Sequence, residues 1–153
     1  MPEESPATGP RRRDLLLTAV AGLATATMLS PSRGSDEAVE LIERLTGKTP
    51  TESDRLHLVM PRTFPNGYTV PLSLEVDSPS NENDHVRYVR VVAPRNPLIE
   101  VASFHFVPQR SQARVSTRIR LAEPQYVLAV AETNDGALLM TKTWVEVTTN
   151  GCA

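Results

Sequence analysis

The sequence predicts an all-β fold: an immunoglobulin-like antiparallel β-sandwich of about seven strands, with a short N-terminal helix and a flexible C-terminal arm. Three observations carry this. From Pro50 onward apolar residues recur at every second position over short runs. Turn signals such as Asn66-Gly67 and Asn134-Asp135-Gly136 separate those runs. Thirteen prolines in 153 residues disfavour a mostly helical chain.

Residues 1–34 read as an export signal rather than as fold. Arg11-Arg12-Arg13-Asp14 precedes the uncharged, mostly apolar run Leu15 to Leu29. A basic segment before a short apolar one describes a secretory signal. The run is shorter than the ~20 residues a bilayer-spanning helix needs. Ala24-Thr25-Ala26 offers a small-residue cleavage site. Arg12 and Arg13 at this distance from the apolar run look like a twin-arginine (Tat) signal. An ordinary Sec signal with one extra arginine is the alternative. Either predicts a periplasmic or otherwise extracytoplasmic protein with no stable membrane association.

The domain proper is expected over residues 35–149. Ser35 suits a helix N-cap, with Asp36 and Glu37 in the first turn, where negative charge favours the helix dipole. Ala38, Leu41, Ile42 and Leu45 fall on one helical face, and Gly47 is a suitable stop. Strands are expected near Leu56–Met60, Tyr68–Val76, Val86–Ala93, Ile99–Val107, Arg114–Leu121, Tyr126–Glu132 and Leu138–Thr148. In the second, Val70, Leu72, Leu74 and Val76 alternate with polar residues and Pro71. In the fifth, Val115, Thr117, Ile119 and Leu121 alternate with Arg114, Ser116, Arg118 and Arg120. Asn134-Asp135-Gly136 joins the last two as a hairpin. Short strands at this spacing argue a two-sheet sandwich.

Composition narrows the function. The formal net charge is −2, and without residues 1–34 the chain keeps 12 Lys+Arg and 15 Asp+Glu, a net −3. That excludes the strongly basic surface of a nucleic-acid binder. One cysteine permits neither an internal disulfide nor a thiolate zinc cluster. His57, His85 and His105 are scattered, so no metal site is expected; His105, between Phe104 and Phe106, should point off the core face. Tyr88, Phe104, Phe106, Tyr126 and Trp144 read as core or interface packing. Arg114, Arg118 and Arg120, with Arg110 close by, read first as the solvated face of a strand and second as a site for an anion or an acidic partner. No carboxylate pair or phosphate-binding glycine loop suggests catalysis.

The informative cysteine is Cys152, beyond the last expected strand on the small residues Asn150, Gly151 and Ala153. Six residues counted from Thr148 extend about 20 Å at ~3.4 Å each. A thiol on such a tether enters another protein's cleft; a thiol in a sheet does not. No Lys, Arg or His lies closer than Lys142 to activate it. The chain therefore reads as a carried substrate handle, not an enzyme with its own base or oxyanion donor. A binding subunit whose cysteine is dispensable is the second reading.

Several blocks together resemble the SoxY sulfur-carrier subunits of bacterial thiosulfate oxidation, from about Asp36 to the C-terminus. They are Leu45-Thr46-Gly47, the run Asn66-Gly67-Tyr68-Thr69-Val70-Pro71-Leu72, Asn96-Pro97 and Val101-Ala102-Ser103-Phe104. Val115 to Ala122 and Val130-Ala131-Glu132 through Asp135-Gly136 complete the set. The resemblance implies an immunoglobulin-like sandwich paired with a SoxZ-like subunit. It implies no cofactor beyond sulfur intermediates held covalently on Cys152. A haem enzyme couples thiosulfate to that sulfur oxidatively, a hydrolase releases sulfate, and a sulfane dehydrogenase oxidises the sulfur that remains. The arm departs from the family's Gly-Gly-Cys-Gly-Gly pattern. Asn150 replaces a glycine, and Ala153 adds a methyl beside the reactive sulfur, which predicts a tighter fit in channels shaped for glycine. A diverged paralogue with altered partners is the corresponding alternative.

Overall fold

A computed structural model describes residues 33–108 and 110–149. Its elements are α1 (Arg33–Thr46), β1 (Thr51–Glu52), β2 (Leu56–Val59), β3 (Thr63–Phe64), β4 (Val70–Val76) and β5 (Val86–Val92). Then follow β6 (Glu100–His105), β7 (Arg114–Ile119), β8 (Gln125–Thr133) and β9 (Leu138–Val147). All seven expected strands are present. Two more, β1 and β3, have only two residues each, too few for any periodicity to reveal.

The strands form two sheets. One runs β1-β9-β8-β5-β6, with β3 also on β9; the other runs β2-β4-β7. All pairings are antiparallel except those of β1 and β3, which run parallel to β9. The all-antiparallel expectation is corrected there, because the segment 51–64 runs along the outer side of β9 and touches it twice. That contact covers an edge that would otherwise present unpaired backbone groups.

Period-two alternation places the core. Val70, Leu72, Leu74 and Val76 of β4 meet Val89, Val91, Val127, Ala129 and Ala131 between the sheets, all buried. Burying a side chain of this size is worth roughly 1.5–3 kcal/mol. The alternate residues Val92, Leu128, Val130, Leu138 and Met140 point out of the larger sheet, where Ala38 and Ile42 of α1 cover them. This explains why β8 is buried at every position but Tyr126.

Pro71 sits inside β4, in the middle of its sheet. Val76 N–H donates to the β7 side, at Ala113, and Asp77 N–H to the β2 side, at Arg55. Odd-numbered residues therefore bond toward β2. By position 71 strand β2 has ended, so the missing N–H costs no ladder bond.

The helix begins at Arg33, two residues before the expected cap, which places Ser35 inside it. Helix ends commonly shift by this much. Its stop is as expected. Gly47 is left-handed (φ 73°) and its N–H donates to Glu43 O at 2.7 Å. Gly136 (φ 86°) closes the β8–β9 hairpin, with Thr133 and Ala137 hydrogen-bonded across it.

Candidate functional site: the base of the C-terminal arm

Arg12, Arg13, Asn150, Gly151, Cys152 and Ala153 lie outside the described residues. The structure does describe how the chain is held just before them. Beyond β9, Thr148 N–H donates to Phe64 O at 3.3 Å, and its hydroxyl donates to Pro65 O at 2.6 Å. Thr149 O accepts from Gly67 N–H at 2.6 Å. Upstream, Glu146 N–H donates to Arg62 O, and Glu146 and Val147 pair with β3. Anchoring thus extends to Thr149, two residues beyond the strand. Two residues, Asn150 and Gly151, separate Thr149 from Cys152, so the thiol lies three Cα steps, about 10 Å of extended chain, beyond the last anchored residue, against about 14 Å counted from Thr148.

The anchor is itself anchored. Gly67 O accepts from Leu121 N–H at 2.8 Å, so the 65–67 loop is clasped between Leu121 and Thr149. The segment around Leu121 hangs on Asn96, which is nearly buried. Asn96 Nδ2 donates to Arg120 O at 2.8 Å, while Asn96 Oδ1 accepts from Ala122 N–H (2.8 Å) and Gln125 Nε2 (3.0 Å). The buried Gln125 also accepts from Arg95 N–H at 2.9 Å. Buried amides with their oxygens and nitrogens engaged in this way fix a loop without any charge. Three of the blocks quoted above therefore converge at one end of the sandwich: Asn66-Gly67, Asn96-Pro97 and the end of the 115–122 run. Sequence reading found the blocks but not their meeting, since Asn96 and Gln125 look like loop residues until the chain is folded.

The other flagged residues divide. Arg114 pairs with Glu75 across β4 and β7; Arg118 and Arg120 are exposed, with no carboxylate partner among the described residues. His57 Nε2 lies 2.9 Å from Asp77 Oδ2, and that contact raises its pKa above 6.5. His85 Nδ1 meets Asn81 O, and His105 packs on the Tyr88 ring. Among the described residues no three His, Cys, Asp or Glu side chains gather as a metal site. Phe104 and Phe106 are half-buried against the core, and the exposed His105 lies between them. Tyr126 and Trp144 are not core: 42% and 38% exposed, they form an edge-to-face pair on the large sheet and line a cleft together with Ala38 and Leu41 of α1.

The family model of the sulfur oxidation protein SoxY matches residues 42–152. The chain belongs to the SoxY family. No curated protein matches it. Among solved structures it is similar to the sulfur carrier protein SoxY from Chlorobium limicola f thiosulfatophilum. That match has 26% identity and a TM-score of 0.60, over 74% of this chain and 98% of that one. A superoxide reductase (neelaredoxin) from Ignicoccus hospitalis is also similar, at 15% identity and TM-score 0.55, over 76% of this chain and 92% of that one. At that identity the second likeness shows the fold alone. SoxY membership assigns the chain to sulfur oxidation, and the matched segment runs from within α1, past the anchored Thr149, to Cys152 itself.

Proposed function

We propose that the chain is a non-enzymatic covalent sulfur carrier, exported by the twin-arginine pathway, that presents intermediates of thiosulfate oxidation on Cys152. One observation carries the reading: the family match runs through Cys152, and that residue lies three positions beyond a firmly anchored Thr149. A carrier needs this combination, a rigid base with a short tether holding the nucleophile.

In the loading step the Cys152 thiol and thiosulfate form a sulfur–sulfur bond. The thiol proton is released and two electrons pass to a haem-containing partner, leaving an S-thiosulfonate anion. Water then cleaves the bond to the terminal sulfonate in a hydrolase, releasing sulfate and leaving a persulfide on Cys152. A sulfane dehydrogenase then withdraws six electrons from the outer sulfur while three waters supply its oxygens and six protons leave, and hydrolysis of the resulting S-sulfonate releases a second sulfate and restores the thiol. A SoxZ-like subunit completes a heterodimer. Asn150, Gly151 and Ala153 form the rest of the arm and no residue of the chain acts as catalyst.

The test is the intact mass of protein purified from its own cells, before and after reductant, with peptide mapping. Sulfane or sulfonate mass on Cys152 that reductant removes supports the carrier. Cys152→Ser should abolish loading while the fold and any partner complex persist. A bare thiol under sulfur-oxidising conditions, with a partner still co-purifying, favours the alternative, a binding subunit or diverged paralogue whose cysteine is dispensable. Ala153, beside the sulfur, is the feature that favours that alternative.

A further inference from the structure

Among the described residues the smaller sheet ends in an unpaired edge at β7. Val70–Ile119, Leu72–Thr117 and Leu74–Val115 are the pairs whose backbone groups bond between β4 and β7, in phase with the Val76 to Ala113 bond. The intervening Ser116 and Arg118 aim their N–H and C=O groups out of the sheet. No described backbone or side-chain group bonds them there.

Side chains divide this edge into two unlike faces. Outward lie Arg118 and Arg120, two arginines side by side on one face, exposed and, like Arg44, Arg62 and Arg110 elsewhere, without carboxylate partners among the described residues, whereas Arg55, Arg87, Arg90, Arg95 and Arg114 each have one. Inward lie Val115 and Thr117, only half-buried although they face the core. Val101 and Phe104 on β6, the edge strand of the other sheet, are likewise only half-buried.

We propose that the β7 edge takes up an extended segment of a partner protein as a fourth strand. That segment carries carboxylates on the face meeting Arg118 and Arg120, and apolar side chains on the face meeting Val115. Backbone pairing supplies the attachment and alternate side chains the selectivity. Charge chooses the occupant. Basic side chains along an edge oppose pairing with a second basic edge, which disfavours another copy of this chain, and they attract an acidic strand. The inference uses no property of Cys152, so it fails or succeeds separately from the carrier reading.

The test is an amide NMR titration of the full chain with an acetylated, amidated hexapeptide alternating glutamate and valine. The expected result is a shift and slowed exchange of the Ser116 and Arg118 amides. Replacing glutamate by glutamine in the peptide, or combining Arg118→Ser with Arg120→Ser, should weaken binding by about tenfold, as should a rise in salt. Ser116→Pro removes an N–H that bonds nothing within the fold, so it should abolish binding; should that variant not fold, the double arginine variant decides. Unmoved Ser116 and Arg118 amides at millimolar peptide overturn the proposal. So does binding that survives Ser116→Pro, or that is equally tight for the glutamine peptide.

Discussion

The two ends of the sandwich are held by opposite chemistry. At the arm end the contacts are neutral: the side-chain amides of Asn96 and Gln125, and backbone groups of Gly67, Arg120, Leu121, Ala122 and Thr149. An ion pair there, Arg95–Glu123, is exposed and adds little. At the hairpin end the contacts are ionic. Glu132, almost buried, accepts a short hydrogen bond from the Tyr88 hydroxyl and faces Lys48 at 3.3 Å and Arg87 at 3.5 Å. His57–Asp77 and Arg55–Asp84 lie nearby. Amides do not titrate and carboxylates do. The end that carries the arm is thus insulated from pH, while the far end absorbs its effects.

The comparison breaks most visibly at Asn96. Asn96→Ala removes one donor and one doubly used acceptor, leaving Ala122 N–H and Arg120 O without these partners, while Gln125 Nε2 keeps only its bond to Glu123 O. An unsatisfied buried polar group costs about 1–3 kcal/mol, so the expected loss is about 2–4 kcal/mol in urea unfolding. Amide exchange should accelerate first at Leu121 and Gly67, because their bonds depend on that loop. Exchange that stays slow there while global stability falls would separate the Asn96 network from the arm anchor.

Next comes Glu132→Gln. The Tyr88 hydrogen bond, aided by Lys48 and Arg87, holds the Glu132 carboxyl below its ordinary 4.5 against the opposing effect of burial. A depressed folded-state pKa stabilises above the unfolded value and loses that stabilisation as pH falls through the folded one. His57, raised by Asp77, has the reverse sign: its contribution is full below 6.5 and fades as pH rises through the folded value. The glutamine variant should lose about 1 kcal/mol at pH 7, the exposed cations being screened, and nothing at a pH below the folded-state pKa. Urea midpoints at the two pH values check this. Acidification of the wild type should lower the exchange protection factors of Thr133 and Asn134 before that of Leu121.

A smaller contrast uses two glycines. Gly136→Ala and Gly47→Ala both force a left-handed residue, at about 1 kcal/mol each. An added Cβ at Gly136 also meets Lys48 Nζ at 3.3 Å, whereas at Gly47 it meets nothing. Gly136→Ala should therefore weaken the Lys48–Glu132 pair as well, costing extra stability at neutral pH and flattening the acid response, while Gly47→Ala lowers stability equally at every pH.

What the sequence made legible follows the same division. Alternation in Val70–Val76 and Arg114–Ile119 fixed both the strands and their buried faces, because a period of two has only one solution against a core. Gly47 and Gly136 were legible as punctuation. Strands β1 and β3 were not, since two residues carry no period and their partner lies more than 80 positions away. The Asn96–Gln125 network was not, because Asn96-Pro97 reads as a turn and its burial depends on a loop 24 to 29 residues downstream. The tether looked longer than it is for the same reason: Thr148 appears free until Pro65 is beside it.

That last point gives the smallest and most functional prediction. Thr148→Val removes the hydroxyl bond to Pro65 O but keeps a β-branched side chain. The bond is exposed, so its loss should cost only about 0.5–1 kcal/mol and leave the core untouched. Its effect on the arm differs in kind. If Thr148 and Thr149 detach, the tether to Cys152 grows by two residues, about 7 Å of reach. A spin label on Cys152 should then show a wider distance distribution to a second label at Ser73 on the solvent face of β4, with an unchanged unfolding midpoint within about 1 kcal/mol. The anchor is thereby separable from stability, and the length of the arm becomes a variable set by one hydroxyl and by the backbone bond between Gly67 and Thr149.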